Sequence, residues 1–98
     1  MAESANPLPL SMRFAANLRR FREAAGISQD DLAFASEIHR TQVSFIEGGH
    51  RMPRLDTLVK LAGALGLTPN DLLDGVTWEP SVQRPGEFRV GPVNGGDG

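Results

Sequence analysis

The side chains best suited to binding chemistry sit close together, in Arg40-Thr41-Gln42-Val43-Ser44-Phe45-Ile46-Glu47-Gly48-Gly49 and the loop His50-Arg51-Met52-Pro53 that follows. On a helix advancing about 100° per residue, Val43, Ile46 and Glu47 share one side, and Thr41, Ser44, Phe45 and Gly48 share the other. The outward side thus offers hydroxyls, an aromatic ring and a flanking guanidinium, Arg40. Such groups can hydrogen-bond or pack against base edges in a DNA groove. A polar helix face is ordinarily just a solvated one. Phe45 counts against that plainer reading, because a large ring turned outward on a short helix expects a partner.

The elements that position this stretch follow from capping and periodicity. Ser11 is expected to cap a first helix, in which Phe14, Leu18, Phe21 and Ala25 recur at helical intervals, with Gly26 as its C-terminal cap and Ile27 as the apolar residue after it. Ser28 and Asp31 form a capping box for a second helix, with Leu32, Ala33 and Ser36 facing inward. Glu37-Ile38 makes the turn. The third helix runs from about His39 to Glu47 and stops at Gly48-Gly49. Leu55, Leu58, Val59, Ala62 and Leu65 form the apolar stripe of a fourth helix, ended by Gly66. Thr68-Pro69-Asn70-Asp71 caps a short fifth helix reaching about Asp74. Beyond Gly75, prolines and glycines leave only two extended candidates, 76–78 and 87–90. An isolated hairpin of that size is marginal in water and needs something to pack against. The expected organisation is a mobile lead over 1–10, a helical domain over 11–75, and a Pro/Gly-rich tail over 76–98, ordered to about residue 90 with the last eight residues disordered.

Composition narrows the function. The 98 residues suffice for one domain, and the absence of cysteine excludes disulfides, thiolate catalysis and cysteine-bound zinc. His39 and His50 lack carboxylates at matched spacing, so neither a metal nor another cofactor is expected. There are no paired carboxylates or nucleophile–base set, and Gly48-Gly49 lacks the lysine of a phosphate loop, so an enzyme is not expected. No run approaches the roughly 18 apolar residues of a membrane span, and no signal pattern opens the chain, so a soluble cytoplasmic protein is the expectation. The net charge is −2, but it is unevenly placed. Residues 13–60 carry eight basic and six acidic side chains, and 61–98 carry two and five. Any DNA binding must therefore rely on local arginines and helix ends rather than on the overall field.

The chain closely resembles the Cro/repressor-like, or XRE, helix-turn-helix family over about residues 18–74. The resemblance rests on Leu18-Arg19-x-x-Arg22, Gly26-Ile27-Ser28-Gln29, Leu32-Ala33, Ile46-Glu47-x-Gly49, Pro53, Leu55-x-Thr57-Leu58 and Ala64-Leu65-Gly66 in that order. It implies an all-α, five-helix lambda-repressor-like domain with a short irregular or β-hairpin tail. It also implies a transcriptional regulator that inserts its third helix into the major groove of double-stranded DNA, as a homodimer on half-sites about 34 Å apart. By the same resemblance, Gln29 touches a phosphate and braces the third helix, and Arg40 and Thr41 read base edges. Arg40 suits guanine O6 and N7 in a bidentate fork, or equally a phosphate. Phe45 meets thymine methyls, Gln42 and Ser44 make backbone or supporting contacts, and His50 and Arg51 bind phosphates. Arg22 and Glu47 pair to anchor the third helix from behind.

Three positions depart from the family. Glu37 occupies the turn position usually given to glycine, where a left-handed backbone costs about 1 kcal/mol. Gly48 leaves only a backbone N–H at a usual phosphate contact. Arg54 replaces the serine cap of the fourth helix, leaving Asp56 to complement the helix dipole. Phage-type repressors, restriction–modification controllers and antitoxins all use this domain. The alternative function is thus an antitoxin whose acidic tail wraps a basic toxin protein. The tail, Val76–Val90, is expected to pack Trp78 against the fourth and fifth helices or a second subunit.

Overall fold

In the computed structural model, residues 9–78, 80, 86 and 88–91 are described. They form five helices, α1 (Pro9–Ala24), α2 (Gln29–Ser36), α3 (Arg40–Glu47), α4 (Leu55–Ala64) and α5 (Pro69–Leu72), then two short strands, β1 (Val76–Trp78) and β2 (Phe88–Val90). Most of the lead expected over 1–10 and of the disorder expected over the last eight residues, namely 1–8 and 92–98, lies outside the described residues.

Helix α1 begins two residues before Ser11, which lies within its first turn and does not cap it. Proline suits such a start because it lacks the N–H that a first turn would leave unpaired. Residues 9 and 10 therefore belong to the helical body and not to the lead. The helix ends at Gly26, whose φ of +74° is left-handed. The N–H groups of Gly26 and Ile27 then close back on the carbonyls of Glu23 (3.0 Å) and Arg22 (3.4 Å).

Helix α2 starts with a complete capping box. The Asp31 N–H donates to Ser28 Oγ at 3.0 Å, and the Ser28 N–H donates to the Asp31 carboxylate at 3.4 Å. It ends at Glu37, which takes φ +60° and ψ +43° without being glycine. The strain is offset locally. Glu37 and Ile38 donate their N–H groups to the carbonyls of Phe34 (3.2 Å) and Ala33 (3.1 Å), and Ile38 packs against the core.

The core is built from Phe14 and Leu18 of α1, Leu32 and Ala33 of α2, Val43 and Ile46 of α3, Leu58, Leu61 and Ala62 of α4, and Leu72 of α5. Each fully buried leucine contributes about 1.5–3 kcal/mol relative to an exposed one. Helix α3 lies against α1 and α2, while α4 bridges α2 and α5. Gly49 lets the end of α3 approach α1 closely. A Cβ there would meet Met12 Sδ at 2.6 Å, and the φ of +78° is itself left-handed.

The stripe expected on α4 divides between two faces. Leu58, Leu61 and Ala62 are buried together with Thr57, whereas Leu55 (76% exposed) and Val59 (51%) face solvent. Phe34 on α2 is 88% exposed.

The tail forms an antiparallel pair in the register Val76 with Val90, Thr77 with Arg89, and Trp78 with Phe88. Within one subunit it packs on α1, and not on α4 and α5, the first of the two surfaces the sequence suggested. Strand β2 lies along α1, and Arg13 of α1 donates to the carbonyls of Gly91 and, at 3.4 Å, Asp74. Asn17, fully buried, donates from Nδ2 to the carbonyls of Leu72 and Asp74, each at 3.0 Å. Arg20 adds an ion pair to the Asp74 carboxylate at 3.4 Å. Asn17 and Arg20 thus fix the chain at Leu72 and Asp74, where the tail begins to leave the body, and Arg13 alone of the three also reaches the tail, at Gly91. Gly91 is held in place by its N–H bond to the Gly75 carbonyl at 2.7 Å.

Candidate nucleic-acid interface

Helix α3 is oriented by its buried side. Val43, Ile46 and Glu47 are buried, while Arg40, Thr41, Ser44 and Phe45 are exposed and Gln42 is half-buried. His39 stands at the cap position with no side-chain hydrogen bond to the helix, so the helix proper opens at Arg40. The result is one short helix with an apolar back and an open front.

The back is fixed by charge. Glu47 is only 2% exposed, and its carboxylate accepts from Arg22 Nε at 2.6 Å and from Arg22 Nη2 at 3.1 Å. Gln29 Nε2, from the first turn of α2, donates to the same carboxylate at 3.0 Å. Arg19 Nη1 donates to the Glu47 carbonyl at 2.6 Å, and Arg22 Nη1 to the Ile27 carbonyl at 2.8 Å. A buried carboxylate is tolerated because both of its oxygens accept hydrogen bonds and one of the donors is a cation. Its hydrogen bond raises the Arg22 pKa above the ordinary arginine value, against the opposing effect of burial, so the guanidinium stays charged. Helices α1 and α2 thus both grip the C-terminal turn of α3.

The front has its own internal contacts. The Arg51 guanidinium carbon lies 5.2 Å from the centroid of the Phe45 ring, a cation–π arrangement joining loop and helix. Arg40 Nε approaches Asp30 Oδ1 at 3.3 Å. His50 is exposed in the loop, and its N–H donates to the Phe45 carbonyl at 3.0 Å. The Gly48 N–H is engaged by the Ser44 carbonyl at 3.0 Å, so it completes the helix end and does not point to a ligand. At the start of α4, Arg54 provides no side-chain cap and instead pairs with Asp56 at 3.5 Å.

The structure brings Gln29 to the back of α3 and gathers Arg40, Thr41, Ser44, Phe45, His50 and Arg51 on or beside its front. Sequence reasoning missed Arg19, Asp30 and Asn17. Asn17 is buried on α1 and could have been found only by asking which polar positions fall on that helix's inner side, whereas Arg19 is exposed and reaches Glu47 through a backbone carbonyl, which no side-chain pattern announces. Among the described residues no group of three or more His, Asp or Glu side chains could hold a metal, and no helix is long and apolar enough to cross a membrane.

Two short helices in contact across a tight turn, the second braced by a buried ion pair and open on its other face, define a helix-turn-helix protein. Residues 18–72 match the family described as Helix-turn-helix. The chain belongs to that family, the XRE-type DNA-binding regulators. It is 41% identical over 69 residues to the control protein C.BamHI of Bacillus amyloliquefaciens, a match covering 69% of this chain and 85% of that one. The crystal structure of the restriction-modification controller protein C.AhdI from Aeromonas hydrophila superposes with a TM-score of 0.62 at 40% identity, over 63% of this chain and 94% of that chain. The clp gene regulator ClgR from Corynebacterium glutamicum superposes with a TM-score of 0.66 at 30% identity, over 71% and 90% of the two chains.

Proposed function

We propose that the protein regulates transcription by binding an operator as a homodimer, each subunit placing α3 in the major groove. The observation that carries this reading is the two-sided build of α3. Its buried carboxylate is held by Arg22 and Gln29, while Arg40, Thr41, Ser44 and Phe45 stand exposed on the front. In that orientation Arg40 and Thr41 reach base edges and Phe45 reaches thymine methyls. Gln42 and Ser44 support them, and His50 and Arg51 lie beside the flanking phosphates. Gln29 serves two partners, holding Glu47 from one side and a phosphate from the other.

A dimer needs an apolar surface, and α4 offers one in Leu55 and Val59, a turn apart and exposed. The relatives named as control proteins favour restriction–modification genes as the regulated set. Nothing observed favours the antitoxin alternative. Selection of duplexes from a random pool by the full chain tests the proposal. The expected product is a pair of related half-sites about 34 Å apart. Failure to enrich any sequence overturns it.

A further inference from the structure

On the proposed DNA-facing surface, Arg40 has an acidic neighbour within the chain. Its Nε lies 3.3 Å from Asp30 Oδ1, with the two side chains 63% and 75% exposed. Asp30 has no part in the capping of α2, which Ser28 and Asp31 complete between them. An exposed pair of this kind adds little to stability. An acid beside the first residue of α3 also repels the polyanion that this face is meant to meet. The first turn of α2 suits an acid through the helix dipole with or without a partner, so neither folding nor simple attraction to DNA calls for its pairing with Arg40.

The chemistry of arginine supplies a use. A guanidinium carries five N–H donors in a rigid fork. Approached from the Nε side, it keeps terminal N–H groups for a second acceptor, such as guanine O6 and N7. We infer that Asp30 is a positioning residue for sequence discrimination, holding Arg40 toward base edges and opposing its use as a phosphate clamp. The inference rests on α3 being the DNA-facing helix. Without Asp30, Arg40 can settle on any backbone phosphate and strengthen binding to every sequence alike. With Asp30, Arg40 loses less rotamer freedom on meeting the right base, and a phosphate must compete with the carboxylate.

The test uses the full chain and two duplexes, one enriched from a random pool by the unsubstituted protein and one of scrambled order. Affinities for both are measured across a salt series. Asp30→Asn should raise affinity for the scrambled duplex about three- to tenfold and steepen its salt dependence by about one released ion. The ratio of enriched to scrambled affinity should fall at least about threefold, toward the discrimination lost with a single base contact. Asp30→Glu, which keeps the charge, should retain most of the ratio. In an Arg40→Ala background, Asp30→Asn should leave the ratio unchanged. An equal gain on both duplexes overturns the inference, since that is plain repulsion, and so does no change on either. If Arg40→Ala lowers the ratio and Asp30→Asn does not, only the role of Asp30 fails. If no duplex is enriched, or Arg40→Ala leaves the ratio intact, the reading of α3 has failed and the inference falls with it.

Discussion

Arg22 of α1 meets Glu47 of α3 through two hydrogen bonds, at 2.6 and 3.1 Å, across 25 residues of sequence. The pair joins the first helix to the last turn of α3. Both partners are largely withdrawn from water, with side-chain exposures of 14% and 2%. Removing one partner therefore strands the other. Glu47→Ala should cost about 3–5 kcal/mol in denaturant unfolding. Glu37→Ala, at an exposed position, should change stability by no more than about 0.5 kcal/mol. Glu37→Gly should relieve the left-handed turn and gain up to about 1 kcal/mol. Similar losses for Glu47→Ala and Glu37→Ala would contradict the brace.

Gln29 shares the same carboxylate, so Gln29→Ala tests whether the brace and DNA affinity are linked. Loss of a hydrogen bond to a charged group should cost about 1.5–3 kcal/mol, toward the low end because Gln29 is only half-buried. Affinity should fall alike for enriched and scrambled duplexes, since a phosphate contact carries no sequence information. A stability loss without any change in binding would assign Gln29 to the brace alone.

Much of this arrangement was legible before the fold, and the reasons are local. Ser28 with Asp31, and Gly26 before Ile27, mark helix ends through bonds spanning a few residues. Val43 and Ile46 fell on the buried side because three residues nearly close a helical turn. The errors come from long-range contacts. Leu55 and Val59 were assigned inward because the apolar stripe of α4 is wider than the surface α2 and α5 cover, and only packing decides which residues remain outside. The apolar residues of the tail call for a surface, but nothing in their spacing says whether it is α4 and α5, a second subunit or α1. What joins α1 to the chain around Asp74 and Gly91 is a polar set, Arg13, Asn17 and Arg20, which shares one helix face but whose partners, mostly backbone carbonyls, leave no mark in the sequence. The pairing of Arg40 with Asp30 likewise depends on how α2 and α3 cross.

The proposed function divides the front of α3 and its loop into base readers and phosphate clamps. Thr41→Ala and Phe45→Ala should each lower affinity for the enriched duplex by about 1–3 kcal/mol, with less effect on scrambled DNA. His50→Ala should weaken both duplexes equally. Arg51 is distinctive because its guanidinium lies over the Phe45 ring. Arg51→Lys keeps the charge but not the planar stacking, so the salt slope should hold while sequence discrimination falls. Arg51→Ala should also reduce the slope by about one. Should Arg51→Lys match the unsubstituted protein in both respects, Arg51 acts as a charge only.

The exposed pair on α4 bears on assembly. Leu55→Glu or Val59→Glu places a charge where a dimer would bury an apolar side chain, and neither residue supports the core. Sedimentation should shift toward the monomer, and operator affinity should fall steeply because two half-sites are no longer engaged together. The thermal midpoint of the monomer should stay nearly constant. An unchanged oligomeric state would place the dimer surface elsewhere.

The tail makes a sharper prediction than its composition suggests. Trp78 packs edge-on against Phe88 with ring centroids 5.1 Å apart, yet remains 51% exposed. Its emission in the intact chain should therefore lie between that of a buried and a fully solvated indole. The hairpin is held to the body through Arg13, whose guanidinium bridges the carbonyls of Gly91 and Asp74. Arg13→Ala should shift Trp78 emission toward the solvated value while leaving α3 in place, because the Arg13 bonds run to Asp74 and Gly91 and not to the Arg22–Glu47 pair. Truncation after Gly75 removes β1 and β2 and uncovers the face of α1 on which they lie. It should lower stability by about 1–3 kcal/mol, the scale of losing a few partly buried contacts. Fluorescence of a fully solvated indole in the intact chain, together with an unchanged midpoint after truncation, would show that the hairpin does not hold α1 in solution.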